Sequence, residues 1–323
     1  MTQRDSQHDI VMPTTGYRGG SPPFSLPPTD PKNATLAEIW DAIERYTKGR
    51  DVPVEHLLPY RIDEHQYQEL ERQLSEDDFC RAKLRRDYFP REHLFILRLR
   101  MPSRIHAHFI SKVNQEISRQ LRGVEGSSSK FVQEIEFEAS TEVIPSDPAY
   151  GRNDPDGSFR HNGEPFPGLI TEIAYSRQGK RFKALAHSYI LGSDLRVRAM
   201  ISFDIPYKTN KNKAATVSVW RPKALQDDEG EAWTVTSEVV VFRNDNGRPN
   251  LDPKAGLRAH LTEFASANFC QSLDLKETVF ISCDTLCALL EDAESTDDVQ
   301  RHMAASQPRP VLRKRAMSDT SEE

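Results

Sequence analysis

The sequence has little cysteine and no long apolar run. Its 323 residues include only four cysteines, which are too few and too scattered for a disulfide framework in a chain of this length. No stretch approaches the roughly 20 consecutive apolar residues of a membrane-spanning helix, and the opening MTQRDSQHDI lacks the apolar segment of a signal peptide. We therefore expect an intracellular protein, cytoplasmic or nuclear, that does not associate with membranes.

Both ends of the chain are poor in core-forming residues. Residues 1–33 include GYRGGSPPFSLPPTDPKN, and the chain ends in SQPRPVLRKRAMSDTSEE. Segments rich in Pro, Gly, Ser, Thr and charge do not bury enough apolar surface to fold. The sequence thus predicts disordered tails at residues 1–33 and 294–323.

Residues 34–93 are predicted to form a helical N-terminal extension. TLAEIWDAIERYTKG has apolar residues at helical spacing behind a capping-box pattern. IDEHQYQELERQLSEDDFCRAKLRRDYF predicts one helix over 63–74 and another over 76–88, with Ser75 as the cap between them.

Residues 94–293 are predicted to form an α/β domain. SRIHAHFISKVNQEISRQL repeats apolar residues every four positions, as an amphipathic helix does, and KFVQEIEFEAST alternates like a half-buried strand. Strands near 155–160 and 168–175, the helix KRFKALAHSYILG and the strand LRVRAMISFDI follow. The order helix, three strands, helix, strand indicates an α/β core. Beyond it we expect a strand hairpin, a helix near 254–268, the strand TVFIS and a helix over 283–293.

One glutamate interrupts an otherwise apolar strand. In GLITEIAY, Glu172 shares a face with Ile170 and Ala174, where an unpaired charge is costly to bury. Asp156 lies on the preceding strand, and a suitable register brings it opposite Glu172. Two carboxylates so close repel each other, and a Mg2+ or Mn2+ ion would relieve the repulsion. A solvated edge glutamate that pairs with an arginine is the simpler alternative.

Charge is unevenly distributed along the chain. The net charge is −6, which argues against a general nucleic-acid binder. From Arg177 to Lys223, however, eleven lysines and arginines stand against two aspartates. A positive region next to unusual carboxylates is expected for a polyanionic partner such as DNA, and a solvated charged surface is the alternative.

The runs PDGSF and PGLITEIAYS and the helix LAHSYI resemble the PD-(D/E)XK nuclease superfamily. They look most like a large family of restriction-endonuclease-like proteins whose glutamate strand ends E-V-x-S, and like uncharacterised fungal members with similar SFRH, SYILGSD and VSVWRP segments. The resemblance implies a restriction-endonuclease-like core and metal-dependent hydrolysis of DNA. It also implies that Asp156 and Glu172 bind Mg2+ (or Mn2+) and act in catalysis.

The resemblance further assigns the basic residues after the glutamate strand. Ala174 stands where the family carries its catalytic lysine, so that role passes to Lys180, with Lys183 as the rival. Arg177, Arg181 and Lys183 would then bind neighbouring phosphates of the DNA.

One departure from the family leaves an alternative open. Its members often carry a glutamate just after a histidine in the first core helix, and RIHAHF has Ala107 there. A catalytically inactive relative that binds nucleic acid or a protein partner through its basic face is therefore the rival hypothesis. An unrelated α/β scaffold is the third, and a homodimer stays open in each case.

Overall fold

The structure is a computed structural model. It describes residues 31–47, 57–77, 80, 84–98, 104–139, 141–175, 179–206, 211–227 and 230–306. The helices of this part of the chain are α1 (Leu36–Thr47), α2 (Glu64–Glu76), α3 (Arg104–Arg122), α4 (Ser129–Gln133), α5 (Gly179–Gly192), α6 (Ala267–Cys270) and α7 (Cys283–Ser306). The strands are β1 (Lys32–Asn33), β2 (Leu57–Arg61), β3 (Arg85–Phe89), β4 (Leu94–Arg98), β5 (Ile135–Glu138), β6 (Arg152–Asn153), β7 (Gly157–His161), β8 (Leu169–Tyr175), β9 (Ala199–Ile205), β10 (Ala215–Asp227), β11 (Gly230–Arg243), β12 (Gly256–His260) and β13 (Thr278–Ser282).

The strands form two large sheets and one small sheet. The N-terminal sheet has the order β1-β2-β4-β3-β6, and the central sheet has the order β11-β10-β9-β8-β7-β5. In the central sheet β8 and β9 are parallel and are joined through α5, whereas the other neighbours are antiparallel. Strands β12 and β13 pair separately. The protein is therefore a mixed α/β protein, as the sequence predicted.

Three clusters of buried apolar residues show how the helices pack against the sheets. One face of the central sheet packs against α3 and α7. The other face packs against α5, which also contacts the N-terminal sheet through Phe89, Leu94 and Ile96. The outer face of the N-terminal sheet packs against α1 and α2. Helix α5 therefore lies between the two sheets. No helix among the described residues has the length and apolar character needed to cross a membrane.

Several predicted elements are confirmed. Helix α1 carries the expected capping box, in which the Thr35 backbone N–H donates to Glu38 Oε2 at 2.7 Å and the Glu38 N–H donates to Thr35 Oγ1 at 3.3 Å. Helices α2, α3 and α5 and strands β7, β8, β9 and β13 also occur where their patterns predicted them. Of the segment 130–141 that was predicted as one strand, Ile135–Glu138 forms β5, whereas its first residues belong to helix α4. Segments in which apolar residues repeat with the period of a helix or of a strand are the clearest sequence signals, because the buried face then suits the same secondary structure throughout the segment.

The prediction of a wholly helical extension is wrong. Leu57–Arg61 and Arg85–Phe89 are strands of the N-terminal sheet, and Arg85–Phe89 overlaps the helix predicted over 76–88. Leu94–Arg98, at the start of the predicted α/β domain, is a strand of the same sheet. Ser75 is not a cap but lies inside α2, where its hydroxyl donates to the Glu71 carbonyl at 2.7 Å, and Asp63 caps that helix. The charged residues of β3 resembled a helix surface, whereas Arg85 and Asp87 form ion pairs between the sheets and Arg86 pairs with Glu71 of α2.

Two predictions near the C-terminus are also wrong. The helix predicted near 254–268 is instead β12 followed by a short 3-10 turn, since Leu257 and Ala259 alternate with exposed residues and pair with β13. Helix α7 continues to Ser306, so the predicted tail from 294 begins too early. Residues 1–30 and 307–323, the greater part of both predicted tails, lie outside the described residues.

Candidate active site

The two predicted acids lie close together at one end of the β7–β8 ladder. The ladder ends with Gly157 opposite Thr171, and Asp156 and Glu172 are the residues next to this last pair. The Ile173 backbone N–H donates to Asp156 Oδ2 at 2.9 Å. Ile170 and Ala174, which lie beside Glu172 on the same face of β8, pack in the apolar cluster that contains α5. The register that the sequence left open therefore brings both carboxyl groups between the two sheets.

Side-chain nitrogens of Arg85 and His106 contact Asp156. Arg85 Nη1 donates to Oδ1 at 2.6 Å, and His106 Nε2 lies 3.3 Å from Oδ2. Burial alone would raise the pKa of Asp156. The charges of His106, Arg98 and Arg85 outweigh burial and hold that pKa well below its usual range. Asp156 is consequently an anion at any physiological pH.

The pKa of Glu172 is shifted in the opposite direction. Only 1% of the residue is exposed, and its described hydrogen bond comes from Tyr189 Oη, which lies 2.8 Å from Oε1. Burial, followed by the negative charge of Asp156, raises the pKa of Glu172 to about 8, although Arg98 and Arg181 act against the rise. At neutral pH the pair is therefore one carboxylate and one carboxylic acid.

A second ion-pair cluster borders the acids. Asp87 on β3 is fully buried, and Arg98 Nη2 donates to its Oδ1 at 2.7 Å. The same Nη2 donates to the Asp154 carbonyl at 2.5 Å. Arg181 on α5 donates to Asp87 Oδ2. The N-terminal sheet thus supplies Arg85, Asp87 and Arg98 from one face to the immediate surroundings of the acids.

Sequence patterns did not indicate these three residues, because 76–88 was predicted to be a helix and no motif marked Arg98. A usable signal was the short continuous apolar run LFIL directly before Arg98, which is consistent with a buried strand. The pairing itself spans 71 residues between Arg85 and Asp156, and no local pattern encodes that distance.

The predicted basic residues have different positions. Lys180 lies in the first turn of α5, but its side chain is outside the described residues, and Arg177 is wholly outside them. Arg181 is buried against Asp87 rather than displayed on the surface. Lys183 is partly buried, and its charge acts on His187, one turn further along α5. The structure therefore does not bring Arg181 and Lys183 together as a surface for phosphates.

An ion pair and burial also interrupt the positively charged region from Arg177 to Lys223. Arg221 Nε donates to Glu263 Oε1 at 2.5 Å, so a C-terminal acid neutralises it. Burial is the main cause that lowers the pKa of Arg198. Lys211 and Lys223 remain exposed. A positive run in sequence therefore need not become a continuous positive surface.

The donor set for a metal ion consists of two carboxyl groups. Within the described ranges, no group of three or more His, Cys, Asp or Glu side chains is arranged to hold a metal ion. Ala107, where the family often has a glutamate, is exposed on α3 beside His106. Comparisons with family models, curated proteins and solved structures gave no significant match. The candidate site therefore depends on the geometry of Asp156 and Glu172.

Proposed function

We propose that this protein hydrolyses phosphodiester bonds of DNA with the help of Mg2+ or Mn2+. The observation that supports the proposal most directly is the closeness of Asp156, directly before β7, to Glu172 on β8: the Ile173 N–H donates to Asp156 Oδ2, and the Asp156 charge acts on Glu172. Helix α3, strands β5, β7 and β8, helix α5 and strand β9 also follow one another in the order that the nuclease resemblance implied. Their arrangement agrees with a restriction-endonuclease-like core.

The residues present suit a hard divalent cation. Asp156 and Glu172 offer carboxylate oxygens, the donors that Mg2+ and Mn2+ prefer. The raised pKa of Glu172 arises partly from the Asp156 charge, and an added cation would reverse that effect. Both residues would hold the ion, which would polarise a phosphoryl oxygen and lower the pKa of a bound water.

Other side chains have simpler tasks in this proposal. Tyr189 orients the Glu172 carboxyl through its hydrogen bond. Arg98 keeps a fixed positive charge close to both acids, because Asp87 and the Asp154 carbonyl hold it in place. Lys180, at the start of α5, is the proposed lysine of the site. Fixed cations of this kind stabilise negative charge that develops on a phosphate.

A specific observation favours the inactive alternative. Arg85 and His106 already contact both oxygens of Asp156, whose side chain is only 4% exposed. Such a cluster can serve as a structural connection between the two sheets without catalysis. In that case the protein would bind nucleic acid or a protein partner without cleaving it.

Cleavage of supercoiled plasmid separates the two functions. Purified wild-type protein, Asp156→Asn, Glu172→Gln and Lys180→Ala are incubated with plasmid in Mg2+, in Mn2+ and in EDTA. Glu231→Gln, which changes an exposed residue on β11, is the matched control. We expect nicking by the wild type and the control in either metal, and its loss in EDTA and in the three site variants.

Two other outcomes have clear meanings. Equal nicking by all five proteins indicates a contaminating nuclease and contradicts the proposal. Salt-dependent retardation of DNA by all five proteins, without cleavage in any metal, supports the inactive alternative, because phosphate contacts alone weaken steeply with salt.

A further inference from the structure

We propose that Arg85 is an exchangeable counterion that leaves Asp156 when a divalent metal ion binds. The inference rests on the proposed metal site. Arg85 Nη1 donates to Asp156 Oδ1 at 2.6 Å, so it occupies the position on that oxygen that a metal ion would need. A guanidinium and a divalent cation cannot share one carboxylate oxygen without strong repulsion.

The two oxygens of Asp156 differ in their partners. Oδ2 accepts the Ile173 backbone N–H at 2.9 Å and lies 3.3 Å from His106 Nε2. The backbone of β8 cannot withdraw this donor without breaking the strand. Oδ1 is held by the side chain of Arg85. Metal binding at Oδ1 therefore requires the movement of a single side chain.

Among the arginines near the acids, Arg85 is the one placed to move. Its side chain is 29% exposed, whereas those of Arg98 and Arg181 are each 10% exposed. Arg98 and Arg181 are both bound to the buried Asp87, and their departure would leave that carboxylate unpaired at a large cost. Arg85 can instead turn its guanidinium into water, where charged groups are well solvated.

Mn2+ binding to the full chain tests the exchange without relying on activity. Isothermal titration is performed on the wild type, Arg85→Gln, Glu172→Gln and Arg160→Gln. Arg160 is a close control, because its side chain is also 29% exposed and its Nη2 lies 2.6 Å from Glu138 Oε1. We expect Arg85→Gln to bind Mn2+ about tenfold more tightly than the wild type, since a charge-assisted hydrogen bond no longer competes. Arg160→Gln should bind as the wild type does, and Glu172→Gln should bind far more weakly.

The outcomes separate this inference from the proposed function. Equal Mn2+ affinity in Arg85→Gln and the wild type, with binding lost in Glu172→Gln, overturns the exchange but leaves the metal site intact. No saturable binding in the wild type or in Arg85→Gln overturns the metal site itself, and the exchange with it.

A measurement on the wild type covers the case in which Arg85→Gln does not fold. The Arg85 side-chain Nε–H signal is assigned in an NMR spectrum by its loss in Arg85→Lys. Saturating Mg2+ should shift this signal towards that of a solvated arginine and speed its exchange with water. A signal that stays unchanged while Mg2+ binds overturns the exchange.

Discussion

Replacement of Glu172 by glutamine should remove the loss of folding stability that the Glu172 carboxyl causes in the wild type as pH rises. The Glu172 pKa is raised from an ordinary 4.5 to about 8, so the folded protein holds a proton that the unfolded chain releases. Between these two pH values the wild type therefore becomes less stable as pH rises. Glutamine carries no ionisable proton, and its amide oxygen can still accept the hydrogen bond from Tyr189 Oη.

The size of the effect follows from the same two pKa values. Each unit of difference corresponds to about 1.4 kcal/mol, so the wild type should lose about 3 kcal/mol by pH 7 and about 5 kcal/mol above pH 8. Below pH 4.5 this contribution vanishes. Glu172→Gln should therefore match the wild type near pH 5 and exceed its free energy of unfolding by several kcal/mol at pH 9.

Urea unfolding followed by tryptophan fluorescence at pH 5, 7 and 9 measures this difference. The urea dependence of the unfolding free energy should be the same in both proteins, which shows that their unfolded states are comparable. Glu231→Gln serves as the exposed control and should follow the wild type at each pH. Parallel pH profiles for Glu172→Gln and the wild type would refute the electrostatic description of the site.

Three further predictions concern buried ionisable groups. Asp87→Ala should lower the free energy of unfolding by about 3–5 kcal/mol, because it leaves Arg98 and Arg181 buried without their partner; urea titration that shows a loss under 1 kcal/mol would contradict this. Truncation after Ala293 removes Glu294, which binds the buried Arg243 at 3.0 Å, and should lower the melting temperature, whereas truncation after Ser306 should not. Burial, with the charges of Lys183 and Arg91, lowers the pKa of His187 to about 4; the wild type should therefore lose stability as pH falls from 6.5 towards 4, and equal acid sensitivity in His187→Gln would exclude this origin.

Much of the candidate site could be predicted from local sequence patterns. The alternation in GLITEIAY determined which face of β8 carries Glu172, and the pattern before it indicated a neighbouring strand near 155–160 that includes Asp156. The apolar spacing of α3 and α5 indicated the flanking helices. These features are local, because side-chain direction in a strand or helix depends only on position along it.

The surroundings of the acids could not be predicted in this way. Arg85 and Arg98 reach them from a separate sheet, and charged residues, which usually lie in solvent, obscured the strand β3 that carries Arg85. Whether such a residue is exposed or buried depends on partners that are distant in sequence. The same holds for Arg181, whose family-implied role in phosphate binding gave no indication of its burial against Asp87.

The sequence by itself determined the α/β class and the face of β8 that carries Glu172, because hydrophobic periodicity specifies which faces become buried. Only the tertiary structure decided the protonation of the pair and the identity of its counterions. Those properties depend on burial and on charges only a few ångströms away in space, and the residues that carry them come from strands that meet only when the two sheets close on α5.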